Sequence, residues 1–144
     1  MRTYTENEII SLIDRFEKQQ LPKAEWTHEA HLVVAIWYLK KYDWGESIGI
    51  VRENIIQHNE FVGTPNTDTE GYLETITRFW LWTAQQFLKS VEERTIEELC
   101  NAFILSPYAV NKYPLEYYSR ELLFSVHARK NWIEPDLNQL NKLV

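Results

Sequence analysis

The stretch from Trp26 to Leu39, WTHEAHLVVAIWYL, constrains this chain more than any other. It reads as a buried helix with two histidines near its start. Projected at about 100° per residue from His28, the side chains of Glu29, Lys40 and Lys41 fall between about 100° and 220°, which marks a solvent side. His28 and His31, the latter at about 300°, then point inward beside Leu32, Ala35 and Leu39. Thr27 is suited to be the N-cap, so both imidazoles belong to the first turn, near the positive end of the helix dipole. That position and burial both favour neutral imidazole, the form that ligates a metal or acts as a base.

A chain of 144 residues fits one domain able to bury a core without disulfides or a structural metal. Hydrophobic residues make up 44% and aromatics 14%, which excludes a disordered chain and predicts bulky side chains around a core or cavity. The single cysteine, Cys100, cannot form an internal disulfide and sits in a helix-like setting, consistent with a reducing cytoplasm. The net charge is −6, with no Lys/Arg cluster longer than a pair, so the cationic footprint expected of a nucleic-acid partner is missing. The N-terminal residues do not read as a leader, and the longest apolar run, Leu32 to Leu39, is far short of a bilayer span. The expectation is a cytoplasmic protein without a nucleic-acid or membrane partner.

Thr5 to Glu8 has the form of a capping box, and Ile9, Leu12, Ile13 and Phe16 follow at helical spacing, predicting a first helix that stops near Leu21-Pro22. The central helix should end near Tyr42. A third runs from about Glu46 to Asn59, with Gly49 weakening its interior. The polar connector from Gly63 to Gly71 offers several side-chain oxygens. The next helix, Tyr72 to about Lys89, puts Tyr72, Ile76, Phe79, Trp80, Thr83 and Phe87 on one side and Glu74, Arg78, Gln85 and Lys89 on the other. A second capping box at Thr95 opens a helix through Phe103 and Ile104. Tyr108 to Pro114 reads as loop, Leu115 to Phe124 as a short helix, and Ser125 as the cap of another reaching Trp132 or Ile133. The fold expected is all-α, a single helical domain over residues 1–144, built as a bundle of four main helices with smaller C-terminal ones packed on it.

Three motifs in order, Trp26-Thr27-His28-x-x-His31-Leu32, Thr69-x-Gly71-Tyr72-x-Glu74-Thr75-x-Thr77-Arg78-Phe79 and Tyr118-Ser119-Arg120-x-x-Leu123, resemble a family of small bacterial helical proteins of uncharacterised activity. The likeness runs from about Leu21 to Pro135. It implies an all-α fold and supplies no reaction. In that pattern the residue between Tyr72 and Glu74 is commonly histidine, which could join His28 and His31 as a third nitrogen ligand; here it is Leu73.

Three functions remain open on these residues. A pocket for a small organic molecule would be centred on His28, His31 and the 64–71 connector, with Tyr38, Asn66, Asp68, Glu70, Tyr72, Arg78, Trp80 and Arg120 as ligand-binding candidates. If the pocket is catalytic, His28 or His31 is the general base or acid and a carboxylate such as Glu74 or Asp68 orients it. A divalent transition metal, zinc, iron, nickel or manganese, could instead be bound by His28 and His31, completed by Glu70, Asp68, His58 or Glu74. The spacing His28-Glu29-Ala30-His31 is one residue short of the zinc-hydrolase motif, and the plain account of Glu74 is a surface ion pair with Arg78. Ser119 and Arg120 could form an anion clamp with Arg129, or Ser119 could simply cap a helix. His58 at a helix end reads as a capping residue and His127 as a surface one. The third function is an interaction protein, monomer or homodimer, that buries Trp37 and Trp82 against a partner.

Overall fold

Short hydroxyl and carboxylate side chains set where most of the helices begin. In the computed structural model, which describes residues 2–140, Thr5 caps α1 (Glu6–Glu17), Thr27 caps α2 (His28–Lys41) and Asp43 caps α3 (Trp44–Phe61). Thr95 caps α5 (Ile96–Ile104), Ser119 caps α6 (Arg120–Leu123) and Ser125 caps α7 (Val126–Lys130). Each of these side chains accepts from the backbone N–H three residues on, satisfying a donor that the helix leaves free. The exception is α4 (Glu74–Ser90), where Leu73 occupies the N-cap and no side chain caps the first turn.

The described residues are all-helical, with seven α-helices, three 3₁₀ turns and no strand among them. None of their helices is long and apolar enough to cross a membrane. α1 ends earlier than Pro22 because Gln19 takes a left-handed conformation, φ 53°, turning the chain so that Leu21 is buried. The expected helix over Leu115–Phe124 is broken. Pro114 initiates a 3₁₀ turn at Tyr113–Glu116, and Ser119 restarts the chain as α6. Residues 131–133, expected to continue α7, are extended instead and are pinned to α4. The Thr75 hydroxyl donates to the Asn131 carbonyl at 2.7 Å and accepts from the Ile133 N–H at 3.2 Å.

α2 is the axis of the molecule. It packs against α4 and α5 most extensively, and also against α3 and α1. Its buried residues, Ala30, Leu32, Val33, Val34, Ala35, Ile36 and Tyr38, are consecutive enough to cover every direction around the helix. The solvent side assigned from Glu29, Lys40 and Lys41 is therefore confined to the helix ends. A helix apolar all round is an interior helix, and each buried Leu, Val or Ile contributes about 1.5–3 kcal/mol relative to exposure. Trp82, on α4, is buried against Phe79 and Tyr117, at centroid distances of 5.7 Å each, so the chain's own C-terminal part covers it. Trp37 is partly buried and packs on the same core.

Candidate functional site

Between α2, α3 and α4, the interior opens into a cavity of about 400 Å³. α2 contributes His31, Val34 and Ala35, and α3 contributes Val51, Ile55 and Asn59. Leu73, Ile76, Thr77, Trp80 and Leu81 line it from α4 and its N-cap, and Lys23, Trp26, Thr64, Gly71 and Tyr72 close it from the connectors. The wall is mainly apolar with few polar groups, the composition of a small-molecule site.

His31 is the imidazole on this wall, beside the polar side chains of Lys23, Asn59, Thr64, Tyr72 and Thr77. Its Nδ1 lies 2.7 Å from the Thr27 carbonyl oxygen. A carbonyl can only accept, so Nδ1 carries the proton and Nε2 keeps a lone pair. Nε2 has no hydrogen-bond partner among the described residues, and His31 lines the cavity. Burial pushes the imidazole pKa down to about 4, against the opposing pull of the Thr27 carbonyl, with small contributions from His28 and His58. The ring is neutral at pH 7. A group with so low a pKa is a weak general base, so its chemistry here is that of a fixed hydrogen-bond acceptor.

The ring is held by stacking. Trp26 lies against His31 at 3.7 Å and against Phe16 at 4.6 Å, forming a three-ring stack that joins α1 to α2. His58 stands 5.3 Å from Trp26, wholly buried, with Nε2–H donating to the Leu21 carbonyl. Burial lowers its pKa, so it is a neutral core residue rather than a charged cap.

His28 does not share the cavity. Its Nε2 donates to the Ala109 carbonyl at 2.6 Å, and its ring meets Trp80 edge-on at 5.0 Å. The pairing expected of the two histidines fails because the rings are drawn to different backbone carbonyls, His28 to Ala109 and His31 to Thr27. Tyr38 is also elsewhere: it is buried in the core, and its hydroxyl donates to Glu17. Among the described residues no three His, Cys, Asp or Glu side chains are grouped to hold a metal ion. Each expected completer is committed or remote. Asp68 pairs with Lys130 at 2.6 Å, Glu70 is exposed on its loop, and Glu74 belongs to a second site.

That second site is a polar cleft of about 690 Å³, with Tyr72 as the wall it shares with the cavity. Glu74 is buried at its floor rather than exposed beside Arg78. Arg52, reaching across from α3, donates from Nε at 2.8 Å and from Nη2 at 2.7 Å, and the Tyr72 hydroxyl donates at 2.7 Å. Burial works to raise the carboxyl pKa, but these donors and the nearby Arg78 outweigh it and hold Glu74 below the ordinary range. Arg78 and Asn66 line this cleft together with Arg129, Lys130, Asn131 and Trp132. Asn66 also builds the connector. Its Oδ1 accepts from Asn59 and from the Tyr72 N–H, and its Nδ2 donates to the Ile56 carbonyl. Gly71, at φ 81°, passes so close that an added Cβ would lie 2.3 Å from the Pro65 carbonyl oxygen.

Of the residues singled out in the sequence, His31, Tyr72 and Trp80 converge on the cavity, while Asn66, Asp68, Glu74 and Arg78 converge on the cleft. Arg120 is exposed, follows the Ser119 cap and lines neither; the clamp with Arg129 does not form. Sequence reasoning missed Trp26 as a ring partner and Arg52 as the counter-ion of Glu74. The Arg52 signal was weak, because the two residues lie 22 positions apart on different helices. No protein-family model, curated protein or solved structure matches this chain.

Proposed function

We propose that this protein binds a small, largely apolar organic molecule in the cavity, through a hydrogen bond from the ligand to His31 Nε2. The observation that supports this reading is the tautomer: Nδ1–H is fixed on Thr27, which leaves the Nε2 lone pair unpartnered on a mainly apolar wall. An acceptor in apolar surroundings selects a ligand that brings a donor, because a ligand without one leaves the nitrogen unpaired. Trp80 supplies an aromatic surface suited to a ring. In this reading the protein is a cytoplasmic binding protein, and the low basicity of His31 favours binding over catalysis.

The test is a thermal-shift series comparing phenol, indole and cyclohexanol with anisole, 1-methylindole and methylcyclohexane, which lack the donor. A molecule that binds only the folded state raises the melting temperature. The donors should stabilise the parent and lose that effect in His31→Phe. Equal shifts for donors and their blocked analogues would refute the hydrogen bond, and no shift with any of them would refute the cavity as a site for this class.

A further inference from the structure

The cleft beside Glu74 concentrates four cationic side chains, Arg52, Arg78, Arg129 and Lys130, against two carboxylates, in a chain whose net charge is −6. The carboxylates are already used. Glu74 takes both prongs of Arg52, and Asp68 takes Lys130. Two guanidinium groups are left without a carboxylate at hydrogen-bond distance.

Arg78 makes no hydrogen bond among the described residues; its approach to Glu74 is 3.9 Å, beyond hydrogen-bond reach, and its Nε is enclosed without an acceptor. What fixes it is the Trp132 ring, 5.1 Å beneath the guanidinium. Stacking satisfies the face of a guanidinium and leaves its N–H edge unsatisfied. Arg129 spends Nη1 on the Gly71 carbonyl at 3.0 Å, and its Nε is likewise enclosed and unpartnered. Arg78 is carried by α4, Arg129 by α7, which packs on α4, and Trp132 by the segment that Thr75 pins to α4.

We propose that this cleft binds a small molecule carrying a doubly charged oxyanion of the phosphate-monoester class, held by Arg78 and Arg129. Two unmatched positive charges call for two negative ones, and because both Nε atoms are enclosed, the terminal Nη groups are the donors left to meet the oxygens of a dianion. This site uses residues separate from His31, so it stands or falls independently of the cavity.

The experiment is a heteronuclear NMR titration of the ¹⁵N-labelled protein with methyl phosphate, which is mostly dianionic at pH 7.5, and with acetate, at constant ionic strength. Methyl phosphate should saturate at millimolar concentration and shift the Asn131 amide and the Trp132 indole, while acetate binds at least tenfold more weakly. Arg129→Gln and Arg78→Gln should each weaken methyl phosphate at least tenfold. Arg78→Lys, which keeps the charge and loses the fork, tests the same point should Arg78→Gln fail to fold. Absence of saturation in the parent, shifts scattered over surface lysines, equal affinity for acetate, or full retention of binding in Arg129→Gln would each overturn the proposal.

Discussion

Arg52 and Glu74 form a two-pronged ion pair that ties α3 to the first residue of α4, with oxygen–nitrogen distances of 2.8 and 2.7 Å. The carboxylate is buried and the guanidinium partly exposed, with side-chain exposures of 9% and 41%, so the two partners are not equivalent. Removing Arg52 strands a buried charge, whereas Glu74→Gln removes the charge itself. Arg52→Ala should therefore cost about 2–3 kcal/mol, in the range for losing a hydrogen-bonded charge partner, and Glu74→Gln less. Denaturant unfolding of the two variants checks the order.

The same pair fixes a pH dependence. The folded pKa of Glu74 lies below its unfolded value, so its contribution is complete above the ordinary carboxylate range and is lost as pH falls through the folded pKa. The stability difference between the parent and Glu74→Gln should shrink on acidification below about pH 4. A difference independent of pH down to acid unfolding would contradict the pairing.

His31 acts in the same direction at higher pH. Its folded pKa of about 4 is below the ordinary value of 6.5, so the unfolded chain binds more protons between those limits. Its contribution falls as pH drops from 6.5 toward 4. His58, also lowered by burial, adds to the slope. His31→Phe should flatten the stability profile in that window; an unchanged slope would show that the ring is solvated.

Gly63 and Gly71 share φ 81° and differ in what surrounds them. Nothing lies within 4 Å of a Cβ at position 63, while one at 71 meets the Pro65 carbonyl and the Asn66 side chain. Gly63→Ala should cost about 1 kcal/mol, the left-handed penalty alone. Gly71→Ala should cost more than about 2 kcal/mol, because the connector must also shift. Equal costs would show that the connector yields freely.

The capping boxes at Thr5 and Thr95 and the long helices were legible because they depend on local hydrogen bonds and 3.6-residue periodicity. The site was legible only in part. His31, Tyr72 and Trp80 could be placed on inward faces, but whether His28 turns to the cavity or to Ala109 depends on a backbone carbonyl 81 residues away. The uniform burial of α2 likewise depends on neighbours packing on opposite sides, which its own spacing does not encode. Thr75 shows the same limit, since its value lies in residues 131–133. Thr75→Val should loosen that segment and cost about 1–3 kcal/mol, seen as faster amide exchange at Ile133 with α2 protection retained.

The most direct measurement on the central claim is the imidazole ¹⁵N spectrum of His31 at neutral pH, without and with phenol. The account predicts a protonated Nδ1, an unprotonated Nε2, and a shift confined to Nε2 as phenol saturates. A proton on Nε2, or an Nε2 resonance indifferent to phenol that nonetheless binds, would contradict it.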